Sequence, residues 1–170
     1  MTPWGAPCTL PLAPCTLRVN VPVAIALGSN LGDRQAHLDF AVRRLGAILS
    51  AVKVSSYHET EPVGVGDQPR FLNAAVVGQT TLTANELLDA LLAIERERGR
   101  DRPFVGAPRT LDLDLILYGN RQISESGLIV PHPRFRARRF VLEPLSEIAS
   151  DIIDPVSGRT IAELAKALQT

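Results

Sequence analysis

The chain has 170 residues, a hydrophobic content of 45%, and 18 basic residues balanced by 18 acidic ones. This length and composition predict a single domain with a buried core. Because the formal net charge is zero, no overall field attracts nucleic acid or an anionic membrane, and we expect neither as a partner. No apolar run approaches the length that crosses a bilayer, so we expect a soluble, cytoplasmic protein. We further expect a monomer.

The first twenty residues differ in composition from the rest of the chain. They contain four prolines, the only tryptophan and both cysteines, Cys8 and Cys15. They lack the basic start and the continuous apolar stretch of a signal peptide, so we expect the two cysteines to be reduced thiols. The composition predicts a disordered or loosely packed extension over residues 1–20 and a single domain over residues 21–170.

Regular patterning begins at Val21. Apolar and small residues alternate from there to Leu27, which predicts a buried strand that ends at Gly28. The next segment places Leu38 and Leu45 on one face of a predicted helix.

Two further strands and a second helix are predicted next. Residues 48–57 are rich in valine and serine and predict the second strand. Residues 71–77 predict the third strand, after a turn-rich loop over residues 60–69. Thr83 and Glu86 have the spacing of a capping box and predict the start of a helix.

The fourth predicted strand contains two acidic residues in an otherwise apolar run. Side chains alternate between the faces of a strand, so Asp112 and Asp114 share one face with Ile116 and Tyr118. The other face consists of Leu111, Leu113, Leu115 and Leu117. The complete order, βαββαβ, predicts an α+β fold of the ferredoxin-like type, with helices on one face of a mainly antiparallel sheet.

Two neighbouring carboxylates repel each other unless a cation lies close to them. Mg²⁺ suits such a pair because it prefers oxygen ligands and often binds one or two carboxylates together with substrate phosphates. Asp112 and Asp114 are therefore candidate metal ligands. The alternative is a pair of solvated aspartates on an edge strand.

Arginines flank the acidic pair on both sides. Only Lys53 and Lys166 are lysines, so the other 16 basic residues are arginines. The guanidinium group binds phosphate oxygens through two parallel hydrogen bonds. Clusters of arginine before and after the acidic pair therefore indicate a bound polyphosphate. The residues that favour it most are Arg100, Arg102 and Arg109, which lie in a loop with proline and glycine.

A second group of candidate residues lies on the third predicted strand and near residue 132. Phe71 and Asn73 share one face, where they could stack on a flat heteroaromatic ligand and bond to its edge. The alternative is a core phenylalanine beside a structural asparagine. His132 precedes the second arginine cluster and is a candidate ligand or phosphate contact.

Five segments, in this order, resemble the 6-hydroxymethyl-7,8-dihydropterin pyrophosphokinase family. They are ALGSNLG at 26–32, QPRFLNAA at 68–75, GR at 99–100, PRTLDLD at 108–114 and VPH at 130–132. The resemblance extends from Val23 to about Asp154. Enzymes of this family transfer pyrophosphate from ATP to a pterin alcohol in folate biosynthesis, so the resemblance implies ATP and 6-hydroxymethyl-7,8-dihydropterin as substrates.

The resemblance also implies roles for individual residues. Asp112 and Asp114 match the ligands of two Mg²⁺ ions, and with Arg100 and Arg109 they form the implied catalytic set. The positions that match ATP contacts are Glu95, Arg100, Arg102, Arg109, His132 and Arg138. The positions that match the pterin pocket, where the ring lies between two aromatic side chains, are Thr60, Val63, Phe71, Asn73 and Phe140.

The chain departs from the family pattern at two places within the matched region. The loop just before residues 108–110 has no tryptophan at positions 104–107, where family members often carry one. Phe71 stands where tyrosine is common, so a hydroxyl contact is lost. The implied reaction is in-line attack of the pterin hydroxymethyl oxygen on the β-phosphorus of ATP, which needs no side-chain nucleophile. Loops at residues 64–66 and 100–109 are expected to close and exclude water.

Two other classes of protein are compatible with parts of this pattern. A ferredoxin-like domain can bind RNA, but exposed aromatics along the central strands would then be needed, and only 5% of the residues are aromatic. A different metal-dependent nucleotidyl transferase would also use paired aspartates. Only the reaction product distinguishes that class from a pyrophosphokinase.

Overall fold

The computed structural model describes residues 18–62, 68–99 and 107–169. Three predicted site residues, Val63, Arg100 and Arg102, lie outside these ranges, as do most residues of the two loops that were expected to close. In the described part of the chain, no helix is both long enough and apolar enough to cross a membrane.

The described residues form seven strands and four α-helices. They are β1 (Val21–Ser29), α1 (Arg34–Gly46), β2 (Ser50–Val54), β3 (His58–Thr60), β4 (Phe71–Thr80), α2 (Ala84–Glu97), β5 (Asp112–Tyr118), β6 (Ile123–Glu125), β7 (Leu128–Val130), α3 (Arg139–Ala149) and α4 (Ile161–Ala167). A 3₁₀ turn, Phe135–Ala137, precedes α3.

The main sheet is antiparallel throughout. Its strands lie in the order β2, β4, β1, β5, and β3 also pairs with β4. The elements β1, α1, β2, β4, α2 and β5 form the βαββαβ core, so the predicted α+β, ferredoxin-like fold is confirmed. β6 and β7 form a separate two-stranded sheet.

The two helices of this core lie on one face of the sheet, as predicted. Leu38 of α1 and Leu87 of α2 are fully buried in the same cluster as Ile25 of β1. The predicted capping box begins α2, where Thr83 and Glu86 each bond to the other's backbone N–H. Burial of this apolar face stabilises the sheet and fixes which side chains point away from it.

The opposite face carries two helices that the sequence patterns did not predict, α3 and α4. Their apolar residues form a cluster with Ala24 of β1, Ala75 of β4 and Ile116 of β5. Ala24 is fully buried, whereas Ala26, two residues further along β1, is only partly buried. The added helices therefore cover one end of this face more completely than the other, and the predicted site residues lie at the less covered end.

A bulge in β5 corrects the predicted alternation of its side chains. Ala24 pairs with Leu117 and Ile25 pairs with Leu115, so β5 carries one extra residue, Ile116, at this point. An extra residue shifts every later side chain to the other face. Leu117 consequently packs with α3 and α4, and Tyr118 packs with α1 and α2, the reverse of the prediction.

The loop predicted over residues 60–69 begins later than expected. Thr60 is the last residue of β3 and pairs with Phe71 at the start of β4. His58, two residues earlier, pairs with Asn73. This short strand was missed because three residues carry too little pattern to be recognised, and it places Thr60 beside the candidate ligand-binding residues.

Candidate active site

Three adjacent strands bring the predicted site residues into one row. Gly28 of β1 pairs with Asn73 of β4 on one side and with Asp112 of β5 on the other. Directly paired residues project to the same face of a sheet. Ala26 and Asp114 form another pair on that face. The row therefore places the Asn73 carboxamide on one side of Gly28 and the Asp112 carboxylate on the other, with Asp114 next to Asp112 on the same face.

Each aspartate forms an ion pair with an arginine. Nη1 of Arg109 lies 2.8 Å from Oδ2 of Asp112, and Nη1 of Arg138 lies 3.2 Å from Oδ2 of Asp114. The aspartate side chains are 19% and 31% exposed, respectively. β5 is an edge strand, but its carboxylates are paired and partly buried, which argues against the alternative of two solvated aspartates. These two guanidinium groups supply positive charge that reduces the repulsion between the neighbouring carboxylates.

The carboxyl group of Asp114 has a raised pKa. Burial is the largest cause, and the negative charge of Asp112 adds to it, while His132, Arg138 and Arg109 oppose it. Burial also lowers the pKa of the His132 imidazole, against the opposing effect of Asp114. The fold therefore holds negative charge in a poorly hydrated place, where a further cation would stabilise the charged carboxylate.

The bulge in β5 positions His132 near Asp114. The backbone N–H of His132 donates to the carbonyl oxygen of Ile116, the extra residue, at 3.0 Å. Nδ1 of the imidazole accepts from the N–H of Arg134 at 3.2 Å. In the neutral ring the proton must then be on Nε2, which leaves that nitrogen as a donor. The distortion of the strand thus connects the acidic pair to the histidine.

The two predicted aromatic residues lie next to the same arginines. Cζ of Arg109 is 6.0 Å from the centre of the Phe71 ring, and Cζ of Arg138 is 5.5 Å from the centre of the Phe140 ring. Each arginine therefore contacts both a carboxylate and an aromatic ring. The structure thus places Phe71 and Phe140, two residues of the predicted pterin pocket, next to two of the arginines predicted to bind phosphate.

Asn73 is held by a neighbouring strand and faces the space above Gly28. It is 4% exposed, and its Nδ2 donates to Oγ1 of Thr60 at 2.7 Å. A Cβ atom at position 28 would lie 3.2 Å from Oδ1 of Asn73 and 3.9 Å from Cδ1 of Phe71. Glycine at this position therefore keeps open the space between the carboxamide and the aromatic ring.

Glu95 lies apart from this row. It is fully buried on α2, and its Oε1 accepts the backbone N–H of Leu113 at 2.7 Å. Leu113 separates the two aspartates in β5, and its side chain belongs to the core beneath the sheet. The carboxylate therefore fixes the backbone between Asp112 and Asp114, while its contact with ATP stays a prediction.

Asn30 contributes to the site although no pattern in the sequence marked its role. It is 1% exposed at the end of β1, accepts a hydrogen bond from the backbone N–H of Arg109 and donates one to Gln68. A polar residue directly after a buried strand was the available signal. Its partners, which lie far away in the sequence, could not be read from it.

The two carboxylates suit a hard divalent cation. Both project to one face of the sheet, and because burial and the charge of Asp112 raise the pKa of Asp114, added positive charge there would stabilise its carboxylate. Among the described residues, no group of three or more histidine, cysteine, aspartate or glutamate side chains could hold a metal ion. An ion at Asp112 and Asp114 would therefore need further oxygen ligands from phosphates or water, which Mg²⁺ commonly has.

Most of this chain is similar in sequence to known proteins. The profile of the 7,8-dihydro-6-hydroxymethylpterin-pyrophosphokinase family, HPPK, matches residues 24–150. The 2-amino-4-hydroxy-6-hydroxymethyldihydropteridine pyrophosphokinase of Bacillus subtilis is 49% identical over 130 residues, which cover 75% of this chain and 78% of that protein. The Pseudomonas aeruginosa protein of the same name is 42% identical over 147 residues, which cover 85% and 90% of the two chains.

Solved structures share the fold. A triple mutant of Plasmodium falciparum HPPK-DHPS with STZ-DHP has a TM-score of 0.72 and 14% identity, over 88% of this chain and 43% of that longer one. A structure of HPPK-DHPS in complex with substrates has a TM-score of 0.71 and 13% identity. These identities support the fold alone, whereas the profile and the relatives support the function. The chain thus belongs to the 7,8-dihydro-6-hydroxymethylpterin-pyrophosphokinase family and is, as its sequence motifs predicted, an ATP-dependent pyrophosphokinase of folate biosynthesis.

Proposed function

We propose that this chain transfers pyrophosphate from ATP to the hydroxymethyl group of 6-hydroxymethyl-7,8-dihydropterin, with release of AMP, at the row formed by Asn73, Gly28 and Asp112. The row is the observation that supports this most directly. Adjacent strands are about 4.8 Å apart, so the carboxamide and the first carboxylate are separated by roughly 10 Å across the glycine. A pterin ring and a phosphate chain can lie side by side over such a distance.

The pterin occupies the side of the row near β4. Asn73 bonds to the polar edge of the ring, and the two aromatic residues lie on its faces. The residues proposed to form this pocket are Thr60, Val63, Phe71, Asn73 and Phe140. The hydrogen bond from Asn73 to Thr60 supports the proposal, because it fixes which atom of the carboxamide faces the ligand.

ATP occupies the side of the row near β5. The side chains of Arg109 and Arg138 are 23% and 20% exposed, so their remaining N–H groups can reach an anionic ligand. His132 donates to a phosphate oxygen from Nε2. The residues proposed to bind ATP are Glu95, Arg100, Arg102, Arg109, His132 and Arg138. Mg²⁺, when bound at Asp112 and Asp114, supplies positive charge to the phosphate oxygens.

The chain accelerates the reaction chiefly by positioning and charge. The pocket holds the hydroxymethyl oxygen in line with the β-phosphorus, and the arginines stabilise the negative charge on the phosphate oxygens. Asp112, Asp114, Arg100 and Arg109 form the proposed catalytic set. Since the substrate oxygen is itself the nucleophile, no covalent enzyme intermediate is required.

Incubation of the chain with ATP, Mg²⁺ and the pterin alcohol tests this function. We expect AMP and a pyrophosphorylated pterin in equal amounts. Formation of ADP would indicate transfer of a single phosphoryl group, and release of free pyrophosphate would indicate a nucleotidyl transferase.

Three further properties belong to the proposal. We propose two Mg²⁺ ions for each bound ATP, a monomeric chain and a cytoplasmic location. Titration of activity and of ATP affinity with Mg²⁺ would give the number of ions. Light scattering coupled to size-exclusion chromatography would give the mass of the protein in solution. A mass of twice 18.4 kDa would contradict the monomer.

Replacement of Asn73 by alanine is expected to weaken binding of the pterin alcohol by roughly 1–3 kcal/mol, because polar groups on the bound ring lose their partner. The affinity for ATP should change little, since the row places Asn73 on the other side of Gly28. Calorimetric titration with each ligand separately measures both effects. An equal loss of affinity for both ligands would show that Asn73 supports the fold of the site.

Replacement of Gly28 by alanine is expected to weaken pterin binding at least about ten-fold without unfolding the protein, an effect of about 1.4 kcal/mol or more. The new methyl group would lie 3.2 Å from Oδ1 of Asn73, in the space proposed for the ring. Stability should change by less than about 1 kcal/mol, because the lower entropy of the unfolded chain offsets the crowding.

Gly46 offers a matched control for this substitution. A Cβ atom at Gly46, the last residue of α1, would have no heavy atom within 4 Å. Gly46→Ala should therefore leave the binding of both substrates unchanged and raise the free energy of unfolding by about 0.5–1 kcal/mol. Normal pterin affinity in Gly28→Ala would show that the ring does not occupy the space above Gly28.

A further inference from the structure

A hydrogen-bonded cluster away from the row joins α3 to the edge of the main sheet formed by β2 and β3. Oε1 of Glu147, on α3, lies 2.5 Å from Nε2 of His58, on β3. Oε2 of the same carboxylate accepts from the backbone N–H of Ser56 at 2.9 Å. The Ser56 hydroxyl oxygen lies 2.9 Å from Oε1 and 2.8 Å from Oε2. We call these three residues the Glu147 cluster.

The geometry of the Glu147 cluster does not fit an activated serine nucleophile. In a serine–histidine–acid triad, the histidine contacts the serine through one ring nitrogen and the acid through the other. Here Nε2 of His58 lies next to both the Ser56 hydroxyl, at 3.2 Å, and the carboxylate. Burial acts in the opposite direction, but hydrogen bonds from Ser56 and His58 lower the pKa of Glu147. The cluster is therefore an ionised acceptor surrounded by donors, an arrangement that holds two elements together.

The helix that the cluster attaches also carries Phe140, one of the two aromatic residues of the proposed pterin pocket. Residues seven positions apart lie on the same face of an α-helix, so Phe140 and Glu147 share a face and are roughly 10 Å apart along the axis. A rotation of α3 that displaces one of them therefore displaces the other. The opposite partner is fixed, because backbone pairing of β3 with β4 places His58 beside Asn73.

Apolar packing alone determines this rotation weakly. Two of the sheet residues that α3 covers are Ala24 and Ala75, whose side chains are single methyl groups. Burial of apolar surface is non-directional, and such small side chains provide little relief to fix the rotation of a helix. Hydrogen bonds to Glu147 depend on distance and angle, so they restrict the rotation where the apolar contacts do not.

We propose that Glu147 and His58 are positioning residues for the pterin substrate, because they set the rotation of α3 at which Phe140 lies flat on the bound ring. The inference rests on the proposed function, in which Phe140 forms one face of the pterin pocket. ATP should depend less on the cluster, because Arg138 at the start of α3 has its own ion pair with Asp114. The side chains of His58 and Glu147 are 27% and 36% exposed, so losing their contact should lower the melting temperature by no more than about 4 °C.

Calorimetric titration of each substrate tests this inference. Binding of α,β-methylene-ATP with Mg²⁺ is measured first, and the pterin alcohol is then titrated into the nucleotide-saturated protein. Glu147→Ala is expected to weaken pterin binding about three- to ten-fold, the range of a misplaced aromatic stacking contact, and to leave nucleotide affinity nearly unchanged. His58→Leu should have the same effect, and it keeps the test available if Glu147→Ala does not fold. His58→Gln keeps an N–H donor near the position of Nε2 and should restore wild-type pterin affinity.

A double-mutant cycle with Phe140 distinguishes positioning from a general structural role. If Glu147 acts through the Phe140 ring, Glu147→Ala should weaken pterin binding no further once Phe140→Ala has removed the ring. Glu97→Ala is the matched control, because it removes a 2.6 Å ion pair with Arg44 that joins α2 to α1 on the other face of the sheet. Glu97 is 42% exposed, similar to Glu147. We expect this control to keep both wild-type affinities.

The outcomes separate this inference from the proposed function. Wild-type pterin affinity in Glu147→Ala and His58→Leu would overturn the inference and leave the function intact. An equal loss of both affinities, or a full additional loss in the Phe140→Ala background, would also overturn it. Unchanged pterin affinity in Phe140→Ala would remove this ring from the pocket and overturn the inference, while AMP and pyrophosphorylated pterin would still establish the function. A wild-type chain that binds neither substrate would overturn both.

Discussion

Replacing either Asp112 or Asp114 by asparagine is expected to lower turnover roughly a thousand-fold or more while leaving the protein folded. Loss of several kcal/mol of transition-state stabilisation corresponds to a rate change of this size. Each substitution removes one of the two carboxylates that can hold Mg²⁺ on this face of β5. Turnover measured beside thermal unfolding tests the expectation, and the pterin alcohol should still bind without ATP.

The stability of these variants follows from the charges around them. Burial and the charge of Asp112 raise the pKa of Asp114 above its ordinary value, so ionisation of this group opposes folding, and Asp114→Asn should leave the melting temperature unchanged or slightly raised. Asp112→Asn loses an ion pair with Arg109 but also removes the repulsion between the two acids. We expect the two effects to offset each other to within about 1 kcal/mol.

Two results would contradict this assignment. Near-normal turnover in both variants would show that the aspartates are not the metal ligands. A large fall in melting temperature would show that the ion pairs of the two aspartates with Arg109 and Arg138 support the fold. Asp89→Asn is the control for the general effect of removing one negative charge. Asp89 is exposed on α2, so this variant should change neither turnover nor melting temperature.

The faces of Asp112 and Asn73 could be predicted because alternation along a strand is a local property. The row that contains them could not, since it depends on how β4 and β5 pair with Gly28 in β1. The bulge at Ile116 has the same origin. It depends on a mismatch with the partner strand and on the amide of His132, and neither is visible in the sequence of β5 itself.

The helices on the second face were missed for a different reason. α3 contains Pro144 within its length and begins in a cluster of arginines, and both features argue against a buried helix when they are read locally. Its apolar residues Val141, Leu142 and Leu145 are nevertheless fully or almost fully buried against the sheet. Tertiary packing here outweighs local propensity, because the uncovered end of the sheet would otherwise expose apolar surface.

Replacing Asp154 by alanine is expected to cause a large loss of stability with little loss of turnover at low temperature. This is the opposite of the result expected for Asp112→Asn and Asp114→Asn. Asp154 is fully buried and binds both Nε and Nη2 of Arg136 at 2.6 Å, and it also accepts hydrogen bonds from Val156 and Ser157. Removing one partner of a buried ion pair costs roughly 3–5 kcal/mol. The side chain of Arg136 is 28% exposed and can be hydrated, so we expect about 3 kcal/mol.

The dependence of this loss on pH identifies its cause. Hydrogen bonds from Arg136 and Ser157 outweigh burial and lower the pKa of Asp154 from 3.8 to about 2. Because the folded chain has the lower pKa, the stabilisation is fully present above about pH 4 and is lost as the pH falls toward 2. Near neutral pH, this ionisation should make the free energy of unfolding of the wild-type chain roughly 2–3 kcal/mol larger than that of Asp154→Ala. This difference should narrow as the pH falls from about 4 toward 2. Asp151→Ala, at an exposed position three residues away, is the control. Its free energy of unfolding should stay equal to that of the wild-type chain across this pH range.

The position of this ion pair explains why stability and turnover should separate. Arg136 lies between His132 and Arg138, so its bond to Asp154 attaches the segment that carries these two proposed ATP-binding side chains to the chain near α4. Arg138 keeps its own ion pair with Asp114 in the variant, and His132 keeps its bond to Ile116. Substrates can therefore still be bound while the chain is folded. Turnover at 15 °C that falls as far as in Asp112→Asn would show that the Asp154 pair positions the catalytic groups directly.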